Sequence, residues 1–210
     1  MTPPPVSHPD TPATDGAVLP LPPRVPRRRA NRFARWAGQT ILRLGGWRMA
    51  GAIADEPKVV LIGAPHSSNW DGVWGFAAVL AMGLDVRVLG KKELFWWPMG
   101  PILRWLGVVE IDRQAPGGFV DQTAALMRSA DAFWLGIAPE GTRKAVREWK
   151  TGFWKIARAA GVPVQVCYFH YPDKRLGFGP LLWMSDDPAA DMARIRAWYA
   201  PWLGRNRGTV

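Results

Sequence analysis

From Lys58 onward, short apolar runs alternate with segments of helical period, and glycine or proline stands at most of the joins. This pattern limits the fold more than any other feature of the chain. Strand-like runs are read at 58–63, 86–90, 108–112, 133–138 and 163–169, with a weaker one at 180–184. Helical segments fall between and after them, at 70–83, 98–106, 117–130, 152–160 and 188–203. Strands that alternate with helices imply crossover connections, and those favour parallel pairing. The expected architecture is a single α/β domain, with a mixed, mostly parallel sheet flanked by helices. Gly83, Gly90, Gly117-Gly118, Gly161 and Pro163 supply the punctuation.

The N-terminal part reads differently. Residues 1–28 are rich in Pro, Thr and Ala without a period, and are expected to form an unstructured arm. From Arg29 to Leu44 a helical period appears, with Phe33, Trp36, Ala37, Ile41 and Leu44 on one face and most arginines elsewhere. A basic amphipathic helix over 29–48 follows, either docked on the domain or lying on a membrane surface. The main domain then covers 49–205, and 206–210 form a basic tail. Charge follows the same division. The net +10 comes from residues 1–50, with eight Arg and two Asp, and from 194–210, with four Arg and no acid; residues 51–193 balance. Basic ends on a neutral body suit an anionic lipid surface better than nucleic acid, for which no module appears.

No apolar run is long enough to span a bilayer, and no secretory signal opens the chain. These features suggest peripheral attachment on the cytoplasmic side of a membrane. The single cysteine, Cys167, lies inside the apolar run Val162–Phe169 and reads as a buried thiol. The segment Leu94–Leu106 packs Phe95, Trp96, Trp97 and Trp105 among prolines and glycines. It suits either core filling or contact with a lipid interface, where Trp is favoured.

Two stretches carry candidate chemistry. In Ala64–Asp71, His66 and Asp71 are five residues apart, which in one continuous helix is a rotation of about 140°. They can meet only if His66 lies in the loop after the strand and Asp71 in the first helical turn. Pro65 disfavours helix just before His66, and Ser68 or Asn69 can cap the helix that follows. A carboxylate so placed can orient an imidazole and stabilise it on protonation. The second stretch, Pro139-Glu140-Gly141-Thr142-Arg143, follows the strand 133–138. Both stretches follow the carboxyl ends of strands, where open α/β sheets bind ligands. Gly141 permits a tight turn, Thr142 brings a hydroxyl, and Arg143 a planar fork for phosphate. Lys91 and Lys92 follow a third strand, and Asp112-Arg113 a fourth. His8, in the arm, is read as inert, and His170, after a strand, as structural or at a pocket edge.

The ordered set His66-x4-Asp71, Gly90-Lys91-Lys92-Glu93-Leu94, Gly107–Arg113, Pro139–Arg143 and Val162-Pro163-Val164 resembles the glycerolipid acyltransferases, which include 1-acyl-glycerol-3-phosphate acyltransferases. The resemblance covers about Val59 to Val166. It implies transfer of a fatty acyl group from acyl-CoA or acyl-carrier protein to the hydroxyl of a lysophospholipid, such as 1-acyl-sn-glycerol-3-phosphate. His66 would be the general base and Asp71 its orienter. Arg143 would hold the acceptor phosphate with Glu140, Gly141 and Thr142 shaping the turn, and Lys91 and Arg113 would add to that role. No metal or bound cofactor is expected, since His-x4-Asp lacks further ligands. Another lipid acceptor, such as an amino-lipid, or a non-catalytic basic protein on anionic lipid are the rival readings.

Overall fold

The computed structural model describes residues 18–29, 31–91, 93, 95–111, 118–206 and 208. A seven-stranded sheet forms the centre, with strand order β1-β7-β6-β2-β5-β3-β4. The strands are β1 (Arg48–Gly51), β2 (Lys58–Ala64), β3 (Val86–Lys91), β4 (Val108–Ile111), β5 (Phe133–Ile137), β6 (Val164–His170) and β7 (Arg175–Leu182). All pairings are parallel except β6 with β7. The mixed, mostly parallel sheet is thus as expected.

The helices are α1 (Arg32–Gly45), α2 (Asn69–Met82), α3 (Met99–Leu106), α4 (Gly118–Ser129), α5 (Gly152–Ala160) and α6 (Pro188–Tyr199). They cover both faces of the sheet. Leu42 of α1 and Ala77, Ala78 and Ala81 of α2 pack with Val59, Leu61 and Trp134 in one core. Met127 of α4, Phe153 and Ile156 of α5 and Ile195 of α6 pack with Val60, Ile62 and Leu135 in the other. Alternate residues of β2 thus feed opposite cores, as a strand buried on both faces must. Each large side chain fully buried here contributes about 1.5–3 kcal/mol. The apolar run on β6 includes Cys167, buried as expected, and burial pushes its thiol up to about 12.

Four expectations are corrected. First, residues 18–28 are not a free arm. Leu19 and Val25 are buried, the Asp85 amide donates to Pro26 O, and the Arg28 amide donates to Gly83 O. A proline-rich stretch can bury apolar groups in extended form, without the period that betrays a helix or strand. Second, β1 occupies residues inside and just beyond the stretch read as helix, because Gly46 takes a left-handed cap (φ 72°) and ends α1. Third, β7 begins at Arg175 rather than 180. Gly177 and Gly179 interrupt its apolar alternation, and they make room for neighbours: a Cβ would lie 2.4 Å from the Tyr168 ring at Gly177 and 2.1 Å from Trp198 at Gly179. Fourth, α6 stops at Tyr199, just before Pro201, which cannot donate to a continuing helix.

Helix α1 lies against α2, but not through its apolar stripe. The docked face is Ala34, Gly38 and Leu42. A Cβ at Gly38 would sit 2.5 Å from Ala77 O, so the glycine sets how closely the helices approach. Phe33, Trp36 and Leu44 face outward and are 71%, 59% and 85% exposed. In the tryptophan-rich segment, Trp96, Trp97, Ile102 and Trp105 are also exposed. None of the helices of the described residues is long and apolar enough to cross a membrane.

Candidate active site

Three adjacent strands, β5, β2 and β6, run parallel through the centre of the sheet, so their carboxyl ends share one edge. Each delivers part of the site. After β2, the chain passes Pro65 and His66 into helix α2. Ser68 is the N-cap: its backbone is extended, its Oγ accepts from the Trp70 amide, and Asp71 at the third helical position completes a capping box. The loop-to-first-turn arrangement required for His66 and Asp71 to meet is the one present, and His66 Nδ1 lies 3.4 Å from Asp71 Oδ2.

Asp71 is buried, yet its carboxylate is well served. Oδ2 accepts from the amides of Ser67 and Ser68 at 2.7 Å each, and Oδ1 accepts from Tyr171 Oη at 2.5 Å. Burial by itself would raise its pKa. The hydrogen bonds from His66, Tyr171 and the Ser68 amide outweigh burial and hold the carboxyl below its ordinary range. Asp71 is thus ionised at neutral pH. Burial and the bond to Asp71 push the Tyr171 hydroxyl well up, so it stays a donor.

From β5 comes the turn Pro139–Arg143, whose residues part company. Glu140 is buried and turns inward, and its Oε1 accepts the His66 amide at 2.7 Å. Through that bond it braces the histidine loop. Gly141 has φ 65°, the left-handed region where a side chain is strained. Thr142 Oγ1 accepts from the Lys144 amide at 3.3 Å, within the turn. Arg143 points outward and lines a cavity of about 420 Å³ with Ser67, Ser68, Asn69, Trp70, Arg205 and Asn206.

The structure therefore brings together His66, Asp71, Glu140 and Arg143. Lys91 ends β3, two strands from β2, and Arg113 lies outside the described residues. Sequence reasoning missed three residues. Tyr171 follows β6 at the same edge, and a tyrosine just past a central strand was the available signal. Arg205 stacks on Trp70 with its guanidinium carbon 5.4 Å from the ring centre. Asn206, read as the first tail residue, donates from its backbone to Ser67 Oγ and from Nδ2 to Ser67 O. His170 Nδ1 accepts from the Leu203 amide, a structural tie that holds this C-terminal strap.

A half-exposed imidazole braced by a buried carboxylate, with an arginine-lined cavity beside it, is an arrangement that can support proton transfer next to an anion. Comparison with known proteins gives the class. The sequence model of the Acyltransferase family matches residues 50–170, and the chain belongs to this family. A 1-acyl-sn-glycerol-3-phosphate acyltransferase of Haemophilus influenzae is 32% identical over 141 residues, covering 62% of this chain and 57% of that protein. The chain thus spans just over half the length of that relative. The crystal structure of the 1-acyl-sn-glycerophosphate (LPA) acyltransferase PlsC from Thermotoga maritima shares the fold, with TM-score 0.56 and 15% identity over 79% of this chain and 73% of that one. The resemblance read from the ordered motifs is borne out.

Proposed function

We propose that the protein transfers a fatty acyl group from acyl-CoA or acyl-carrier protein to the hydroxyl of a lysophospholipid, with 1-acyl-sn-glycerol-3-phosphate as the acceptor and phosphatidic acid as product. The observation that carries this reading is the His66–Asp71 pair beside the cavity lined by Arg143. The name of the Haemophilus relative supports the acceptor.

With Asp71 next to Nδ1, the basic nitrogen of neutral His66 is Nε2. Nε2 takes the proton of the acceptor hydroxyl as its oxygen attacks the thioester carbonyl carbon. The new C–O ester bond forms and the C–S bond breaks. The departing thiolate takes the proton back from His66, so the base is restored. Such general-base help is worth about 10²–10⁴ in rate. Asp71, ionised and held by Tyr171 and two amides, stabilises the imidazolium in between. Arg143 binds the acceptor phosphate, and Arg205 lines the same cavity as a second cation.

The acceptor is an amphiphile, and the surface suits a lipid interface. The outward stripe Phe33, Trp36 and Leu44 on α1 is flanked by arginines, and Trp97, Ile102 and Trp105 are exposed on the α3 segment. Apolar and aromatic groups beside arginines suit the anionic headgroup region. The reading is tested by a matrix of acyl-CoA and acyl-carrier protein donors against lysophosphatidate, other lysolipids and amino-lipids, with products identified by mass spectrometry. Phosphatidate is expected from lysophosphatidate. Acyl products only from an amine or another lysolipid would replace the acceptor, and no product from any pair would overturn the activity.

A further inference from the structure

A second cavity, of about 850 Å³, opens at the far end of α2 from His66. Helix α2 has 14 residues, so the two ends are about 20 Å apart. Seven of the side chains lining this cavity are arginines, and one is an acid, Asp85. They come from distant parts of the chain: the docked segment before α1, α1 itself, the start of β3, and α3.

The arginines are positioned rather than loosely gathered. Arg28 Nη1 donates to Leu106 O, and its Nη2 donates to Trp105 O, at the carboxyl end of α3. The Arg35 guanidinium lies over Gly83 at the carboxyl end of α2, where an added Cβ would be 2.5 Å from Nη2. Helix carboxyl ends attract cations, but each offers only about half a negative charge. Arg87 pairs with Asp85 at 3.2 Å. Among the described residues, seven arginines line the cavity against one carboxylate and two helix carboxyl ends. Burial lowers the pKa of Arg28, with Asp85 opposing the fall and Arg87 adding a smaller contribution to it. Trp105 lines the same cavity, is exposed, and has Arg28 5.3 Å above its ring.

We propose that this arginine-lined cavity binds a phosphate-bearing anion at a site separate from the acyl-acceptor cavity. Guanidinium forks held by helix carboxyl ends match phosphate oxygens in pairs, and the exposed Trp105 lines the same cavity. The phosphate can come from the headgroup of an anionic lipid or from a free phosphate ester.

Arginine modification with phenylglyoxal, mapped by peptide mass spectrometry on the full chain, reads each position separately. One arm uses glycerol 3-phosphate; the other uses vesicles of phosphatidylglycerol in phosphatidylcholine against phosphatidylcholine alone. Arg32, Arg35 and Arg87 are expected to be protected at least fivefold, with Arg128 and Arg175 on other surfaces unchanged. Protection in the glycerol 3-phosphate arm identifies a free-ester site, and protection by anionic vesicles alone identifies a headgroup site. Protection of Arg143 reports on the acceptor cavity independently. No protection of Arg32, Arg35 and Arg87 in either arm, or equal protection at Arg128 and Arg175, overturns the proposal. As a charge-matched check, Arg32→Gln/Arg35→Gln is expected to weaken binding of the effective probe about tenfold, while Lys155→Gln/Lys174→Gln does not. Equal weakening in both pairs would show general charge attraction and reject the site.

Discussion

The two ends of α2 hold charge in opposite ways. At its N-terminus, Asp71 is buried and takes hydrogen bonds from two amides and a tyrosine, with His66 alongside. At its C-terminus, Arg35 lies over the last turn and faces a solvent-open cavity of arginines with a single acid. Both placements agree with the helix dipole, which favours anions at the start and cations at the end. The difference lies in completeness. The anionic end is satisfied from within the protein and fixes a geometry; at the cationic end, among the described residues, arginines outnumber acids around an open cavity.

Substitutions at each end can break or sharpen that contrast. The largest effect is expected at Asp71. Asp71→Ala should lower kcat by about 10²–10⁴, because His66 loses its orienter. It should also destabilise the fold by roughly 1–3 kcal/mol or more, since the Ser67 and Ser68 amides and the Tyr171 hydroxyl lose their acceptor. Steady-state kinetics and thermal melting read the two separately. The pH dependence has a definite sign. Because the folded pKa of Asp71 is depressed, its stabilisation is complete above the unfolded value of about 3.9 and is lost as pH falls through the folded value. The stability gap between wild type and Asp71→Asn in urea should therefore hold through neutral pH and close only in acid.

Glu140 comes next. Glu140→Ala leaves the part-buried His66 amide without its acceptor and should cost roughly 1–3 kcal/mol. Glu140→Gln keeps an accepting oxygen and should recover most of that loss along with activity. Equal damage from both variants would mean that the negative charge, not the brace, matters. Further from the chemistry, Gly38→Ala should lower stability by about 1–3 kcal/mol by forcing α1 off α2. The smallest effect on stability is expected for Trp36→Ser/Leu44→Ser, within about 0.5 kcal/mol per exposed site. That pair should nonetheless reduce co-sedimentation with anionic vesicles; undiminished binding would remove the α1 stripe from the proposed lipid contact.

The sheet was legible where strands are apolar on both faces, as in β2 and β6. It was illegible where glycines stand in β7 and admit Tyr168 and Trp198. The site was half legible. His66 and Asp71 could be paired because the cap and the proline dictated a loop before the helix. Glu140 could be placed at the right edge but not aimed, since a turn's direction depends on the strands beside it. Tyr171, Arg205 and Asn206 reach the site through the β6 end and the C-terminal strap, a proximity that no local spacing encodes. The arginines before and within α1 read as a solvated or lipid-facing charge run; only the docking of 18–29 against α2 and α3 gathers them around one cavity.

In the proposed acyl transfer His66 is the general base. The direct measurement is kcat for His66→Ala with acyl-CoA and lysophosphatidate at saturation, on protein whose melting curve matches wild type. A fall of about a hundredfold or more is expected. Turnover close to the wild-type value would contradict it.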